Sequence, residues 1–153
     1  MGLIFCLEGK RIYLDSNIWI YALENSPEYS ELLVSLFSAV RDQSLMIFTS
    51  ELTLAEVLVR SIREDDVAKQ VIYTKAITAT NNTEAIPISR QILVEAARIR
   101  GITKLKLPDA IHAATAISTN CTTFLTNDRQ FKTVEGLNTL LISQVLKDMD
   151  EEE

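Results

Sequence analysis

Five short apolar runs, RIYL (11–14), LMIFTS (45–50), EAIPI (84–88), TTFLT (122–126) and TLLI (139–142), are separated by stretches whose apolar residues recur at helical spacing. Strands that alternate with helices pair through crossovers, so this order predicts an α/β fold. The expected architecture is a mostly parallel central sheet of about five short strands with helices on both faces. In open sheets of this kind ligands gather outside the carboxyl ends of the strands.

The helices carry their own signals. One begins near Ser16 and stops between Glu24 and Pro27, and a second spans Glu28 to Arg41 with Leu32, Leu33, Leu36, Phe37 and Val40 as its apolar stripe. Ser50 and Ser89 are placed to cap ELTLAEVLVRSI and QILVEAARIR, Gly101 to end the latter in a left-handed conformation, and Pro108 to start DAIHAATAIST. Asp65 and Asp66 open a helix to about Thr80, broken by Asn81 and Asn82, and Pro87 confines the third run to a sheet edge. After residue 142 a short helix leads into DMDEEE, expected to be solvated and frayed.

At 153 residues and 47% hydrophobic content the chain suffices for one domain over 1–153, with an N-terminal extension at about 1–10 and the acidic tail at about 148–153. Charges or turn residues interrupt every apolar run before it could span a bilayer, and MGLIFCLEGK is too short and too acidic for a signal peptide; a cytoplasmic protein is expected. Cys6 and Cys121 lie far apart and the chain has one histidine, which points to buried free thiols and to neither a zinc site nor a disulfide framework. A net charge of -6 argues against broad nonspecific nucleic-acid binding and leaves room for a local basic patch.

Four carboxylates stand at strand ends or near buried helix positions. Asp15 follows the first run, Glu56 lies among Leu52, Ala55, Leu58 and Val59, Asp109 follows Pro108, and Asp128 comes two residues after the fourth run. Each also has an ordinary explanation: Asp15 as a helix cap, Glu56 as the i,i+4 partner of Arg60, Asp109 as an acid favoured by the helix dipole, Asp128 as a turn residue. Together they share a purpose, because close carboxylates cannot all stay ionised at neutral pH unless a cation neutralises them.

In order, YLDSNIWIY, ELTLAEVLVR, LKLPDAIHAATA and FLTNDRQF resemble the PIN-domain ribonucleases, particularly the VapC-type toxins of toxin–antitoxin modules, over nearly the whole chain. The resemblance implies a PIN-like domain whose Asp15, Glu56, Asp109 and Asp128 hold one or two Mg2+ or Mn2+ ions, with Asn17 and Thr126 as polar neighbours of that quartet. All-oxygen donors suit hard cations, which activate water and neutralise charge building on a phosphate. The implied activity is metal-dependent endoribonuclease cleavage, leaving a 5′-phosphate and a 3′-hydroxyl, by the toxin of a type II toxin–antitoxin system. The implied partners are RNA, a VapB-type antitoxin and a second copy in a homodimer.

Several neighbouring residues have two readings. Arg60, Arg63, Arg98, Arg100, Lys104 and Lys106 flank the acids in sequence and could engage RNA phosphates, or could be the solvated charges of helix ends. Asn17 and Thr126 could orient a carboxylate, or serve as cap and turn residues. His112 reads as a general base or as a hydrogen-bonded core histidine, and Trp19 and Tyr21 as base-stacking or packing residues. A haloacid dehalogenase-type phosphatase would need a second Asp where this chain has Asn17, and a receiver domain would need adjacent acids near the first strand and a lysine after the last. The alternative that keeps the same fold is a noncatalytic PIN-like module that binds RNA or protein.

Overall fold

The computed structural model describes residues 2–42, 44–78 and 82–152. Its strands are β1 (Arg11–Leu14), β2 (Met46–Ser50), β3 (Thr83–Ile86), β4 (Thr123–Thr126) and β5 (Thr139–Leu141), all paired in parallel in the order β3-β2-β1-β4-β5. The chain winds outward from β1 through β2 to β3, then returns to the opposite side of β1 for β4 and β5. That reversal places the topological switch point between β1 and β4, the position where open sheets of this kind form a ligand crevice.

The helices among the described residues are α1 (Leu3–Cys6), α2 (Ser16–Leu23), α3 (Ser30–Arg41), α4 (Glu51–Arg63), α5 (Val67–Ala76), α6 (Arg90–Ile102), α7 (Leu107–Ser118) and α8 (Ile142–Glu152). Side chains alternate across each strand, so Ile12 and Leu14 enter one core with α2, α3 and α8, while Tyr13 enters the other with α6 and α7. In that second core Tyr13 stacks on Phe124 with ring centres 5.0 Å apart. The buried small residues Ala110, Ala113, Ala114 and Ala116 let α7 lie close to the sheet. Asp15 has the same parity as Tyr13, and the strand therefore aims it at the α7 side.

The expected caps form. The Ser50 hydroxyl accepts from the Leu52 N–H, the Asp66 carboxylate from the Lys69 N–H and the Ser89 hydroxyl from the Ile92 N–H. Other boundaries differ from expectation. Helix α3 starts at Ser30 instead of Glu28, and α5 ends at Ala76; Thr80 and Asn81 lie outside the described residues. Strand β3 is an edge strand, but it ends before Pro87.

Gly101 does not adopt the left-handed conformation; it lies within α6. The helix closes instead on Thr103, whose N–H and hydroxyl both donate to the Ile99 carbonyl, while Arg100 Nη1 donates to the Leu105 carbonyl at 2.8 Å. Thr103 thus satisfies the Ile99 carbonyl through both its N–H and its hydroxyl, and the helix ends without a glycine cap. At the carboxyl end, Asp148 to Glu152 continue α8 instead of forming a frayed tail. The N-terminal segment docks: Leu3 is wholly buried, and the Thr123 hydroxyl donates to the Glu8 carbonyl while accepting its N–H. Cys6 is exposed and Cys121 only partly buried, which corrects the expectation of two buried thiols. No described helix is long and apolar enough to cross a membrane.

Candidate functional site

At the switch point, β1 delivers Asp15 and β4 delivers Thr126. The Asp15 side chain is 3% exposed, and its backbone N–H donates to the Leu125 carbonyl across the strand pair. One carboxylate oxygen caps α2 by accepting from the Ile18 N–H at 3.2 Å. The other accepts from the Thr126 hydroxyl. That hydroxyl in turn accepts from the Asp128 N–H at 3.1 Å, and Asp128 Oδ1 accepts from the Gln130 N–H at 2.9 Å to start the 3-10 turn Arg129–Thr133. Asp15 therefore does cap a helix, and a single threonine hydroxyl also ties it to the loop bearing Asp128.

Burial pushes the Asp15 carboxyl up to about 6 against the opposing bonds from Thr126 and Ile18, and the nearby Asp109 adds to the rise. Asp109 stands in the first turn of α7, after Pro108. Burial raises its carboxyl too, followed by the like charges of Asp128 and Glu56, while His112 and Lys106 pull the other way. These acids act on one another as like charges around a shared volume.

Glu56 is not the partner of Arg60. Its Oε1 lies 2.6 Å from His112 Nε2, and His112 Nδ1 lies 2.7 Å from the Tyr13 hydroxyl. Arg60 pairs instead with Glu64 at 3.1 Å and Glu24 at 3.6 Å. His112 is 1% exposed with both ring nitrogens engaged, the hydrogen-bonded core histidine of the two readings.

Among the described residues no three His, Cys, Asp or Glu side chains gather tightly enough to grip a metal ion as they stand. In this arrangement both Asp15 oxygens and one oxygen each of Glu56 and Asp128 meet protein donors. The donor chemistry nevertheless suits a hard cation, because the groups offered are carboxylate oxygens and a threonine hydroxyl, with no sulfur among them.

The other candidate residues divide. Asn17 is exposed in the first turn of α2, two residues from Asp15. Arg98 is engaged by Glu95, and Arg100 by the Leu105 carbonyl. Arg63 is exposed, seven residues and therefore about 10 Å along α4 from Glu56. Lys104 and Lys106 are exposed in the loop leading to Asp109, and Lys104, Gln130 and Thr133 line a cavity of about 550 Å³ beside the Asp128 turn. A cavity of about 680 Å³ between α6 and the end of α7 contains none of the four acids.

Trp19 is buried against Phe37, and the Tyr21 hydroxyl accepts from Asn127 Nδ2 at 3.2 Å, so both act in packing. Asn127 was not anticipated. It also donates to the Tyr29 hydroxyl at 3.3 Å and so pins the end of β4 to α2 and the segment before α3. Its position between Thr126 and Asp128 was the only available signal. Arg129, exposed immediately after Asp128, is a further cation beside the acids.

The model of the PIN domain family matches residues 12–137. No curated protein matches the chain. Among solved structures, VapBC2 from Rickettsia felis, bound to a promoter DNA fragment, aligns at TM-score 0.66 and 20% identity, covering 85% of this chain and 98% of that one. DNA-bound VapBC from Salmonella typhimurium aligns at TM-score 0.67 and 18% identity, covering 88% of this chain and 99% of that one. VapC20 from Mycobacterium tuberculosis, described as a sarcin-ricin loop cleaving toxin, aligns at TM-score 0.65 and 14% identity over 79% of this chain and 92% of that one.

Proposed function

The chain belongs to the PIN domain family, and from that premise we propose that it is a divalent-metal-dependent endoribonuclease, the toxin of a type II toxin–antitoxin pair. The observation that carries this reading is the placement of Asp15 and Asp109 at the β1/β4 switch point, both carboxyls raised chiefly by burial, with Asp128 and Glu56 near enough to add like charge at Asp109. When bound there, Mg2+ or Mn2+ would offset that repulsion, activate water for attack on a phosphodiester and neutralise charge on the phosphate.

The chain's own residues prepare the place. Thr126 holds Asp15 and the Asp128 backbone in one unit, and Asn17, exposed two residues after Asp15, would add a further polar group. Glu56 commits one oxygen to His112, and its second oxygen is the one that would meet a cation. Lys104, Lys106 and Arg129 offer charge to the RNA backbone next to Asp109 and Asp128; Arg98 and Arg100, already engaged, and the more distant Arg60 and Arg63 contribute less. A VapB-type antitoxin, a homodimer, a single domain over the whole chain and a cytoplasmic location complete the proposal. The VapBC assemblies of similar fold support the first of these.

The test is cleavage of end-labelled transfer RNA and of an unstructured RNA with Mg2+, Mn2+ or EDTA, beside an Asp15→Asn, Asp109→Asn double variant. Metal-dependent cutting lost in the variant is expected. Cutting that persists in EDTA or in the variant would overturn the reading, and binding of RNA with no cutting under any condition would favour the noncatalytic module.

A further inference from the structure

The Tyr13–His112–Glu56 chain is built from three elements far apart in sequence, β1, α7 and α4, and it runs from the centre of a core to the acidic site. Tyr13 and His112 are 0% and 1% exposed, whereas the Glu56 side chain is 31% exposed. Water could therefore satisfy Glu56 by itself; the contact with His112 does something water would not, which is to fix a carboxylate on a side chain with several free rotors. Tyr13 also lies two residues before Asp15, which directly follows β1. The orientation of Glu56 is thereby referred to the strand that leads into Asp15. A second link reinforces it: the Thr49 hydroxyl donates to the Leu14 carbonyl at 3.0 Å and contacts the Thr53 hydroxyl of α4 at 2.7 Å, tying α4 to β1 next to the same peptide.

We infer that Tyr13 and His112 are positioning residues for the acidic site: Tyr13 O–H donates to His112 Nδ1, His112 Nε2–H donates to Glu56 Oε1, and Glu56 Oε2 is left to face the site. The inference rests on the nuclease reading above, since it gives this pair its purpose. Neither residue touches substrate. Each acts through Glu56, as outer-shell partners orient the groups that hold a cation.

The chain has one histidine, so nitrogen-15 spectra of the imidazole report this contact without ambiguity. In metal-free protein the expected pattern is a proton on Nε2 and a bare Nδ1; a bare Nε2 would overturn the inference. Mn2+ affinity, read from the free-ion paramagnetic resonance signal, gives the second arm. Tyr13→Phe keeps the ring stacked on Phe124 and removes only the hydroxyl; it is expected to bind Mn2+ about tenfold or more weakly. His112→Gln, which retains an amide donor, is expected to fall between Tyr13→Phe and the unmodified chain. Mn2+ binding by the unmodified chain with equal affinity in Tyr13→Phe would overturn the inference alone. Absence of Mn2+ binding in the unmodified chain would overturn the nuclease reading and this inference with it.

Discussion

The hydroxyl of Thr126 donates to the carboxylate of Asp15 across the seam between β4 and β1, and the same oxygen accepts the Asp128 N–H. One side chain therefore serves two acids of the site. Thr126→Val keeps the shape and removes both bonds, leaving the buried Asp15 without its strongest donor. A loss of about 1–3 kcal/mol in urea unfolding is expected, with Thr126→Ser close to the parent. Equal stability of the Val variant would show that the hydroxyl does not hold the seam.

Asp15 also makes the fold pH-dependent. Its carboxyl is raised by burial from 3.8 to about 6, so the folded state holds that proton more tightly than the unfolded chain does. The stability contributed by this group is present below about pH 4 and lost as pH rises through about 6, by up to roughly 3 kcal/mol. In EDTA, Asp15→Asn is expected to be more stable than the parent at pH 7.5 by about 1–2 kcal/mol, less than the full linkage value because the amide fits the Thr126 donor less well. At pH 4 the gain should vanish. Denaturant curves at the two pH values test this, and a variant less stable at pH 7.5 would contradict it.

The basic residues should separate by their partners. Lys104→Gln with Lys106→Gln removes two exposed cations beside Asp109 and Asp128, and is expected to lower the slope of log affinity for single-stranded RNA against log salt by about 1.4. Arg98→Gln removes a cation already neutralised by Glu95 and should leave the slope nearly unchanged. Filter binding across a salt series measures both. An equal drop in the two variants would place the RNA path elsewhere.

Features set by neighbours in the chain were legible in the sequence. RIYL ends at an acid that caps the next helix, and Ser50, Asp66 and Ser89 accept from N–H groups two or three residues on, so local spacing suffices to find them. The parallel sheet followed from the alternation of strands and helices. Features set by packing were not legible. Gly101 looks like a helix cap until Thr103 takes up the Ile99 carbonyl, and Glu56 pairs with His112, 56 residues away, instead of with Arg60 one turn ahead. Asp148 to Glu152 read as tail but extend α8, whose Val145 is buried in the core.

The central claim, that the four acids form a divalent-cation site, is tested most directly by Mn2+ calorimetry at pH 6 in two buffers of different ionisation enthalpy. Binding must displace the proton that Asp15 holds at that pH, so the parent chain should bind Mn2+ and release roughly half a proton from this group. Asp15→Asn should bind at least tenfold more weakly with that release gone. No binding by the parent, or binding of equal strength and equal proton release in the variant, would contradict the account.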